Sequence, residues 1–422
     1  MKPETADAAP STDHAPVATI PHGCSRDIHA VLASLPGPID RAIMFDDLPA
    51  WVVTGYHNVR QVLDNDELVK DPLRLPPGVH PFRGRRYPED GYSLGGRHLI
   101  SSDAADHTRL RRISKPFLSR RAVQHWRPHI ETTTDDLLAA IIEHGGGELV
   151  GELFEPLANT TICRVLGIPA TADRTVLTGS RTLLGAVHPR DPDYMRASAD
   201  LQTLLTDLLR RRADRTGADT DDLAGAAAAA WQNGTIGLRD ALGVVRQFIT
   251  ANTINTVSVL ARTAVTVLED PGLAATVAAD PTAACDVTEE LLRLQSSAPL
   301  ATWRFAPHPM TLLGARLDVG DIVLAAVDTA DHDPEVYPDP HRLIPGREGP
   351  PHLAFGHGRH HCAGAELARL EIQTVLVALA RHAPRLSVAE PADRLPWSDT
   401  VLCHGLARVP VTVRTSEIGA EP

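Results

Sequence analysis

The stretch HLAFGHGRHHCAGAELARLEIQTVLVAL, residues 352–379, constrains the fold more than any other. A glycine-rich loop presents Cys362, and an amphipathic helix is predicted to begin directly after it. Gly356, Gly358 and Gly364 allow a tight turn whose backbone N–H groups can point at the sulfur. The positive end of the following helix adds to this effect. Both features favour the thiolate, which is the form of cysteine that binds a metal.

Two other interpretations of this loop stay open on the residues alone. Zinc is one, because potential ligands crowd the loop: His352, His357, His360, His361 and Cys362. A structural zinc site usually draws on two separated ligand pairs, and no second pair stands out in the chain. The other is an ordinary buried cysteine in a glycine-rich turn.

Composition excludes several classes of function. With 422 residues, 43% of them hydrophobic, the chain can bury a large core. Acidic residues outnumber basic ones 53 to 41, which argues against a nucleic-acid partner. Five scattered cysteines without a CxxC motif fit a reducing cytoplasm. The N-terminus lacks an apolar stretch long enough for an anchor, so we expect no membrane association.

Apolar residues recur at helical spacing from about 103 to 295, whereas strand-like pieces are short. These pieces are 50–56, 310–327 and 409–415, and GARLDVGD within the second predicts a hairpin turn. Two stretches are rich in proline and glycine and predict irregular loops, namely 75–98 and 333–351. The pattern predicts a mainly α fold with small β-sheets. We expect a single domain over 19–417, with tails at 1–18 and 418–422.

The sequence FITANTINTVSVL, residues 248–260, poses a separate question. Its flanks are helical, so a long buried helix is predicted to carry Asn252 and Asn255 near its middle. Unpaired buried amides cost several kcal/mol. We therefore expect these two side chains to have a function.

The cysteine loop resembles that of a known family. The pattern Phe355-x-x-Gly358-x-His360-x-Cys362-x-Gly364 is similar to the haem-thiolate loop of the cytochromes P-450, and Ala-Glu-Leu-Ala-Arg at 365–369 resembles the soluble bacterial members. The resemblance implies a cytochrome P-450-like fold, with haem b between the long central helix and the helix after the cysteine. It also implies that the Cys362 thiolate binds the iron.

The resemblance extends beyond the loop. Glu290-Leu-Leu-Arg293 is similar to the family's buried Glu-x-x-Arg ion pair. The residues implied to bind the two haem carboxylates by charge-assisted hydrogen bonds are His107, Arg111, Arg304 and His360.

In the family, the long helix carries Ala-Gly-x-acid-Thr, whose acid and alcohol relay protons to dioxygen. Aligning Ala251 with the alanine puts Asn252 at the glycine, Ile254 at the acid and Asn255 at the alcohol. A shift by one residue would make Asn255 the acid and Thr256 the alcohol, but it breaks the family's spacing. The titratable acid is missing in either alignment.

Three functional hypotheses follow. The first is non-standard chemistry on a mid-sized, mostly apolar specialised metabolite, by nitrene or oxo transfer or oxidative cyclisation, with Asn252 and Asn255 orienting the substrate. The second is a conventional monooxygenase that depends on O₂ and ferredoxin and uses a substrate hydroxyl or a water as proton relay. The third is a haem sensor without turnover.

The family layout also implies a substrate pocket and an electron donor. The expected pocket residues are Phe248, Ala298, Leu300, Thr302 and Leu402. A ferredoxin-type donor would approach the cysteine side, where the chain has a basic cluster: Arg109, Arg112, Lys115, Arg120 and Arg121. We expect the enzyme to act as a monomer.

Overall fold

The computed structural model describes residues 16–20, 28–44, 47–82, 96–184, 190–214, 221–398 and 403–414. The predicted C-terminal tail, most of the predicted N-terminal tail, residues 83–95 of the 75–98 loop and the predicted pocket residue Leu402 lie outside the described residues. The first strand begins at Ala18, and the Val17 N–H donates to the carbonyl oxygen of Arg41. The chain therefore joins the fold slightly before the predicted boundary at residue 19.

Helices make up most of the described chain, as the apolar spacing predicts. They are α1 (Ile28–Ala33), α2 (Tyr56–Leu63), α3 (Ala104–Leu118), α4 (Arg120–Val123), α5 (Arg127–Glu143), α6 (Glu155–Leu166), α7 (Asp173–Leu184), α8 (Pro192–Ala213), α9 (Leu223–Gln232), α10 (Leu238–Glu269), α11 (Pro271–Ala279), α12 (Ala284–Leu294), α13 (Val327–Asp331) and α14 (Ala365–His382). Among the described residues, no helix combines the length and apolar character needed to cross a membrane.

The strands are short and form three small sheets. They are β1 (Ala18–Thr19), β2 (Ile39–Met44), β3 (Leu48–Val53), β4 (Gly146–Glu148), β5 (Arg304–Phe305), β6 (Met310–Leu312), β7 (Ala315–Leu317), β8 (Ile322–Ala325), β9 (Leu386–Val388) and β10 (Pro410–Val413). The sheet orders are β1-β2-β3-β8-β5, β4-β10-β9 and β6-β7.

The predicted hairpin turn is wrong in its position. Strands β6 and β7 pair from Leu312 with Ala315 outward, so the turn is Leu313-Gly314. Gly314 has a φ of +86°, which suits glycine at a tight turn. Residues 315–317 therefore form a strand, and a second turn at 318–321 leads into β8 of another sheet.

Helix α10 passes through the helical core and packs against α6, α7, α9 and α14. Its threonines do not break it, because their hydroxyls bond back to the preceding turn: Thr250 to the Arg246 carbonyl and Thr253 to the Ile249 carbonyl. This contact set brings the middle of α10 beside α14, the helix that follows Cys362.

The chain from 333 to 351 contains no helix or strand, as its prolines and glycines predict. The Glu290–Arg293 pair of α12 holds this segment. Arg293 donates to both carboxylate oxygens of Glu290, each at 2.8 Å, and to the carbonyl oxygen of Pro340 at 2.8 Å. Glu290 also accepts from the N–H of Ile344 and from Arg347 Nε. One buried ion pair thus connects α12 to the irregular segment before the cysteine loop.

Candidate active site

The cysteine loop runs from Phe355 to Gly364 and ends at the first turn of α14. The Cys362 N–H donates to the Phe355 carbonyl at 2.8 Å, which closes the loop. Gly356 and Gly358 both have a φ of +70°, and a Cβ on Gly358 would lie 2.2 Å from Asp64 Oδ1. Gly364 has an ordinary φ of −92°, so the turn does not require glycine there. The backbone conformation therefore favours glycine at positions 356 and 358 but not at position 364.

The side chain of Cys362 has accessible surface although protein atoms surround it. Burial raises the pKa of the Cys362 thiol, and the opposing N–H groups of Gly364 and Ala365 and the charges of Arg111 and Arg369 do not outweigh it. The N–H groups of Gly364 and Ala365 thus act in the predicted direction, toward the thiolate, while burial of the sulfur opposes them. A bound metal ion would supply the charge that the thiolate needs.

Two buried cations lie close together near the loop. Arg304, on β5, is 3% exposed, and its guanidinium donates to backbone carbonyls of Thr302 and Leu63. Lys70 Nζ donates to Thr302 Oγ1 at 2.7 Å. Burial and the Arg304 charge lower the pKa of Lys70, and burial lowers the pKa of Arg304 to about 10. Each cation destabilises the other in the absence of an anion.

Three histidines border the same region. His107 of α3 and His360 have ring centroids 4.3 Å apart, and His98 lies on the loop before α3. Neither ring nitrogen of His98 nor Nε2 of His107 has a hydrogen-bond partner, although all three are buried. Burial, with positive neighbours, lowers the pKa of His98 to about 3 and of His360 to about 2.

Asp103 lies near both buried cations and Asp64 lies near Arg304, but neither forms an ion pair with them among the described residues. Asp103 is one anion near the cluster; its carboxylate accepts from the N–H groups of Lys70 and Asp71. Unpaired buried charges cost several kcal/mol, so the cluster fits a ligand with more than one negative charge. The two carboxylates of haem fit this donor set. Arg111, which donates to the His361 carbonyl at 2.8 Å, connects α3 to the cysteine loop beside it.

Asn255 is fixed at both ends of its amide. Its Nδ2 donates to the Ala251 carbonyl at 2.9 Å, and its Oδ1 accepts from Ser297 Oγ at 2.9 Å and from Cys403 Sγ at 3.2 Å. Ile254 and Ala251 on the same helix are half-buried.

Asn252 points elsewhere. Its Nδ2 donates to the Ala158 carbonyl of α6 at 2.9 Å, and its Oδ1 accepts from Thr256 at 3.5 Å. One N–H group of Asn252 is therefore used between the two helices, and a role of this residue toward a substrate stays a prediction. The amide joins α10 to α6.

The sequence reasoning missed Glu371, on α14. Its carboxyl is fully buried beside Asn252 and Thr161, and neither oxygen makes a hydrogen bond of good geometry. Burial raises the pKa of Glu371 to about 8, against the effect of these two neighbours. The group is therefore a neutral acid at pH 7 in contact with the middle of α10. The sequence signal for Glu371 was an acidic residue at a position inside the apolar stripe of a predicted helix.

The predicted pocket residues lie in different parts of the structure. Phe248 is buried in the helical core, Ala298 is half-buried, and Leu300 packs against the core of the β1-containing sheet. Thr302 is tied to Lys70, so its hydroxyl belongs to the cation cluster. Lys70 and His98 were also missed, and no local sequence pattern marks either residue.

The potential zinc ligands of the loop do not come together. His352, one of these residues, instead forms a hydrogen bond with Glu289. The Phe355 ring of the same loop lies under the guanidinium of Arg369, at 4.6 Å. Over the described part of the chain, no group of three ligand atoms around Cys362 lies within metal-binding distance. The zinc interpretation has no support in this geometry.

A surface cavity of about 640 Å³ lies on the cysteine side, with Arg111, Arg112, Lys115 and Arg359 in its wall. Arg109 pairs with Asp106 and Arg120 with Glu366. Arg112, Lys115 and Arg121 are exposed and have no acidic partner among the described residues. This face is therefore locally basic in a chain of net charge −12.

Comparison with known proteins agrees with this site. The family model for cytochrome P-450 matches residues 285–386. The chain is 30% identical to cytochrome P-450 107B1 of Saccharopolyspora erythraea, over 89% of this chain and 92% of the relative. It is 31% identical to the cytochrome P-450 monooxygenase PikC of Streptomyces venezuelae, over 90% and 88%.

A solved structure similar to this one is the cytochrome P-450 enzyme CxnD, described as acting in C–S bond formation in chuangxinmycin biosynthesis. Its TM-score is 0.82 at 27% identity, covering 92% of this chain and 94% of that one. Members of this family are enzymes that bind haem through a cysteine thiolate, so the sensor hypothesis is not retained. The loop around Cys362, the buried cations and these likenesses agree, and the chain belongs to the cytochrome P-450 family.

Proposed function

We propose that the protein modifies a mid-sized, mostly apolar specialised metabolite by nitrene or oxo transfer or by oxidative cyclisation. The observation that carries the proposal is the fixed amide of Asn255 beside Ile254, where the family has an alcohol and an acid. A carboxamide donates hydrogen bonds but does not titrate. Proton transfer by a positioned group typically contributes about 10²–10⁴-fold. A reaction that needs no proton delivered to dioxygen therefore suits these residues best.

In nitrene or oxo transfer, the substrate carries its own oxidant. Its N–O or O–O bond breaks and takes up two electrons, which come from the C–H bond that is replaced by a C–N or C–O bond. In nitrene transfer, the proton from that C–H bond leaves with the departing oxygen. In oxo transfer, the oxygen enters the C–H bond to give C–O–H, and the rest of the oxidant departs without it. Haem bound through Cys362 supplies the redox-active iron for such chemistry. The second N–H of Asn255, which has no acceptor among the described residues, donates to the departing oxygen.

A specific observation supports a second candidate, the conventional O₂-dependent monooxygenase. Glu371 is a buried acid that contacts α10 at Asn252, and its raised pKa keeps it protonated at pH 7. Such a group can hold the proton that Ile254 cannot. In this candidate, Glu371 replaces the missing acid from a neighbouring helix.

The electron donor in the second candidate is a ferredoxin-type protein. The exposed Arg112, Lys115 and Arg121 on the cysteine side support docking of an acidic carrier. Exchange of these three residues for Gln should slow reduction of the iron, with a steeper loss at low salt. We extend the proposal to a monomeric, cytoplasmic enzyme.

The test uses purified holoenzyme and metabolites that carry a hydroxamate, N-oxide or endoperoxide group, chosen by their effect on the haem absorption spectrum. Each is incubated with and without reductant and dioxygen. The proposal predicts product from a compound with a weak N–O or O–O bond when both are withheld. Strict dependence on both would contradict transfer chemistry.

Two variants separate the candidates further. Ile254→Asp with Asn255→Thr restores the family's pair, and it should raise O₂-dependent turnover and lower transfer from the N–O or O–O compound. Glu371→Gln should leave transfer unchanged, whereas it should slow the conventional reaction by about 10²-fold or more. A fall in anaerobic transfer in Glu371→Gln would favour a proton role for this residue.

A further inference from the structure

Three histidines and an aspartate meet on a part of the molecule that the haem site does not use. His29 lies on α1, Asp328 on α13, His332 directly after α13, and His341 in the irregular segment 333–351. We call these four residues the His–Asp cluster. His29 and Asp328 are 299 positions apart in the chain, so only the tertiary fold brings them together.

The three imidazole rings have the mutual spacing of a tetrahedral metal site. Their centroids are 4.7 Å apart for His29 and His332, 5.5 Å for His29 and His341, and 5.2 Å for His332 and His341. Zn–N bonds of about 2.1 Å in tetrahedral geometry put two ligating ring centroids about 5 Å apart. The rings of His29 and His332 therefore have the centroid separation of two zinc ligands, and the His341 ring lies beside them at a similar separation.

The ligand atoms are also arranged for binding. One atom each of His29, Asp328 and His332 lies within 4.8 Å of the other two. His332 Nδ1 donates to the Asp328 backbone carbonyl at 2.8 Å, which leaves Nε2 free to bind a metal. A metal-binding histidine commonly donates its other nitrogen to a carbonyl in this way. Asp328 contributes a carboxylate oxygen that His29 Nδ1 already contacts.

The charges in this region permit a cation. Asp328 is the carboxylate of the cluster, and it is hydrogen-bonded to His29. Arg262 is a nearby positive group, and its guanidinium lies over the Trp397 ring at 5.6 Å. The buried His404, whose pKa is lowered to about 3, adds no charge at neutral pH.

A His29–Asp328 ion pair would by itself explain one of these contacts. It does not explain why two more imidazole rings lie beside His29: the ring centroids of His332 and His341 are 4.7 Å and 5.5 Å from that of His29. We propose that His29, Asp328, His332 and His341 form a Zn²⁺ site that ties α1 to α13 and to the irregular segment.

The test is metal binding to the holoenzyme after treatment with a chelator. Titration with ZnCl₂, followed by calorimetry and elemental analysis, should give one saturable Zn²⁺ per chain while the haem spectrum stays unchanged. Free zinc at 100 times the dissociation constant should raise the unfolding temperature of a chain this long by about 3 °C. Absence of saturable Zn²⁺ binding would overturn the proposal and would leave His29 and Asp328 as an ordinary ion pair.

Variants assign the binding to the cluster. His29→Gln and His341→Gln should each weaken binding on the order of 100-fold or more, since each removes a direct ligand. His341 is exposed, so its exchange leaves the fold intact. His308→Gln is the matched control, because His308 is exposed and belongs to no group of close ligand atoms among the described residues, and it should bind zinc like the parent protein. Unchanged affinity in either cluster variant would contradict the site.

Discussion

The Glu290→Gln exchange tests how the fold holds the segment before the cysteine loop. Glu290 and Arg293 are 4% and 2% exposed, and Arg293 has no other carboxylate within bonding distance among the described residues. Burial would raise the pKa of Glu290, but hydrogen bonds from Arg293 and Arg347 lower it below its ordinary value. The exchange keeps the shape of the side chain and leaves the Arg293 charge buried without its partner.

The expected cost follows from that burial. Removing one partner of a buried ion pair typically costs about 3–5 kcal/mol, more than the pair itself contributes. At roughly 2.1 cal/mol/K of unfolding entropy per residue, the 422 residues give roughly 0.9 kcal/mol/K. The unfolding temperature should therefore fall by roughly 3–6 °C. Because the pKa of Glu290 is depressed, its contribution is present above the unfolded pKa of about 4.3 and is lost as pH falls through the folded value.

The assay is thermal unfolding of the holoenzyme followed by circular dichroism, with haem content matched between variants. Glu131→Gln is the control, because Glu131 forms an exposed (i, i+4) pair with Arg127 and should cost less than about 1 kcal/mol. A Glu290→Gln protein as stable as the Glu131→Gln protein would refute the reasoning. Loss of stability that does not diminish toward pH 3 would refute the linkage.

Three further predictions concern single groups. The folded pKa of Glu371 lies above its unfolded value, so the parent protein should lose stability as pH rises. Relative to Glu371→Gln, the loss should be about 1.4 kcal/mol per pH unit between pH 5 and pH 8. Equal pH profiles of the two proteins in urea unfolding would exclude this. Arg304→Gln should speed haem transfer to an acceptor protein about 10- to 100-fold, since a charge-assisted bond is lost, whereas Arg316→Gln on the exposed face of β7 should not. A Cβ on Gly405 would lie 2.5 Å from the Ser258 side chain, so Gly405→Ala should lower the free energy of unfolding by about 1–3 kcal/mol. Gly179→Ala inside α7 should raise it, because alanine favours the helix. A change of the same sign in both variants would contradict this.

Local patterns were enough for the elements that carry the cofactor. The glycine loop, the helix after it and the long helix α10 follow from spacing over 10 to 30 residues, and the structure has all three. The hairpin register was missed by a few residues, because both Leu313-Gly314 and 318–321 carry turn signals. The alternation of apolar and polar residues alone did not show which of the two turns joins the paired strands.

Contacts between distant parts of the chain could not be read in this way. Lys70 joins the cation cluster through Thr302, 232 positions away, and no motif marks Lys70. The direction of Asn252 was also missed, because a helix position does not say which neighbouring helix it faces. Glu371 was visible in principle: it lies four residues after Leu367 and four before Val375, inside the buried stripe of α14.

The account depends most on the iron being bound by the sulfur of Cys362. The direct measurement is the absorption spectrum of the reduced, CO-bound holoenzyme, compared between the parent protein, Cys362→Ser and the exposed control Cys285→Ser. We predict a spectrum typical of thiolate ligation for the parent protein and Cys285→Ser, and its loss in Cys362→Ser. An unchanged thiolate spectrum in Cys362→Ser, or no haem in the parent protein, would contradict the account.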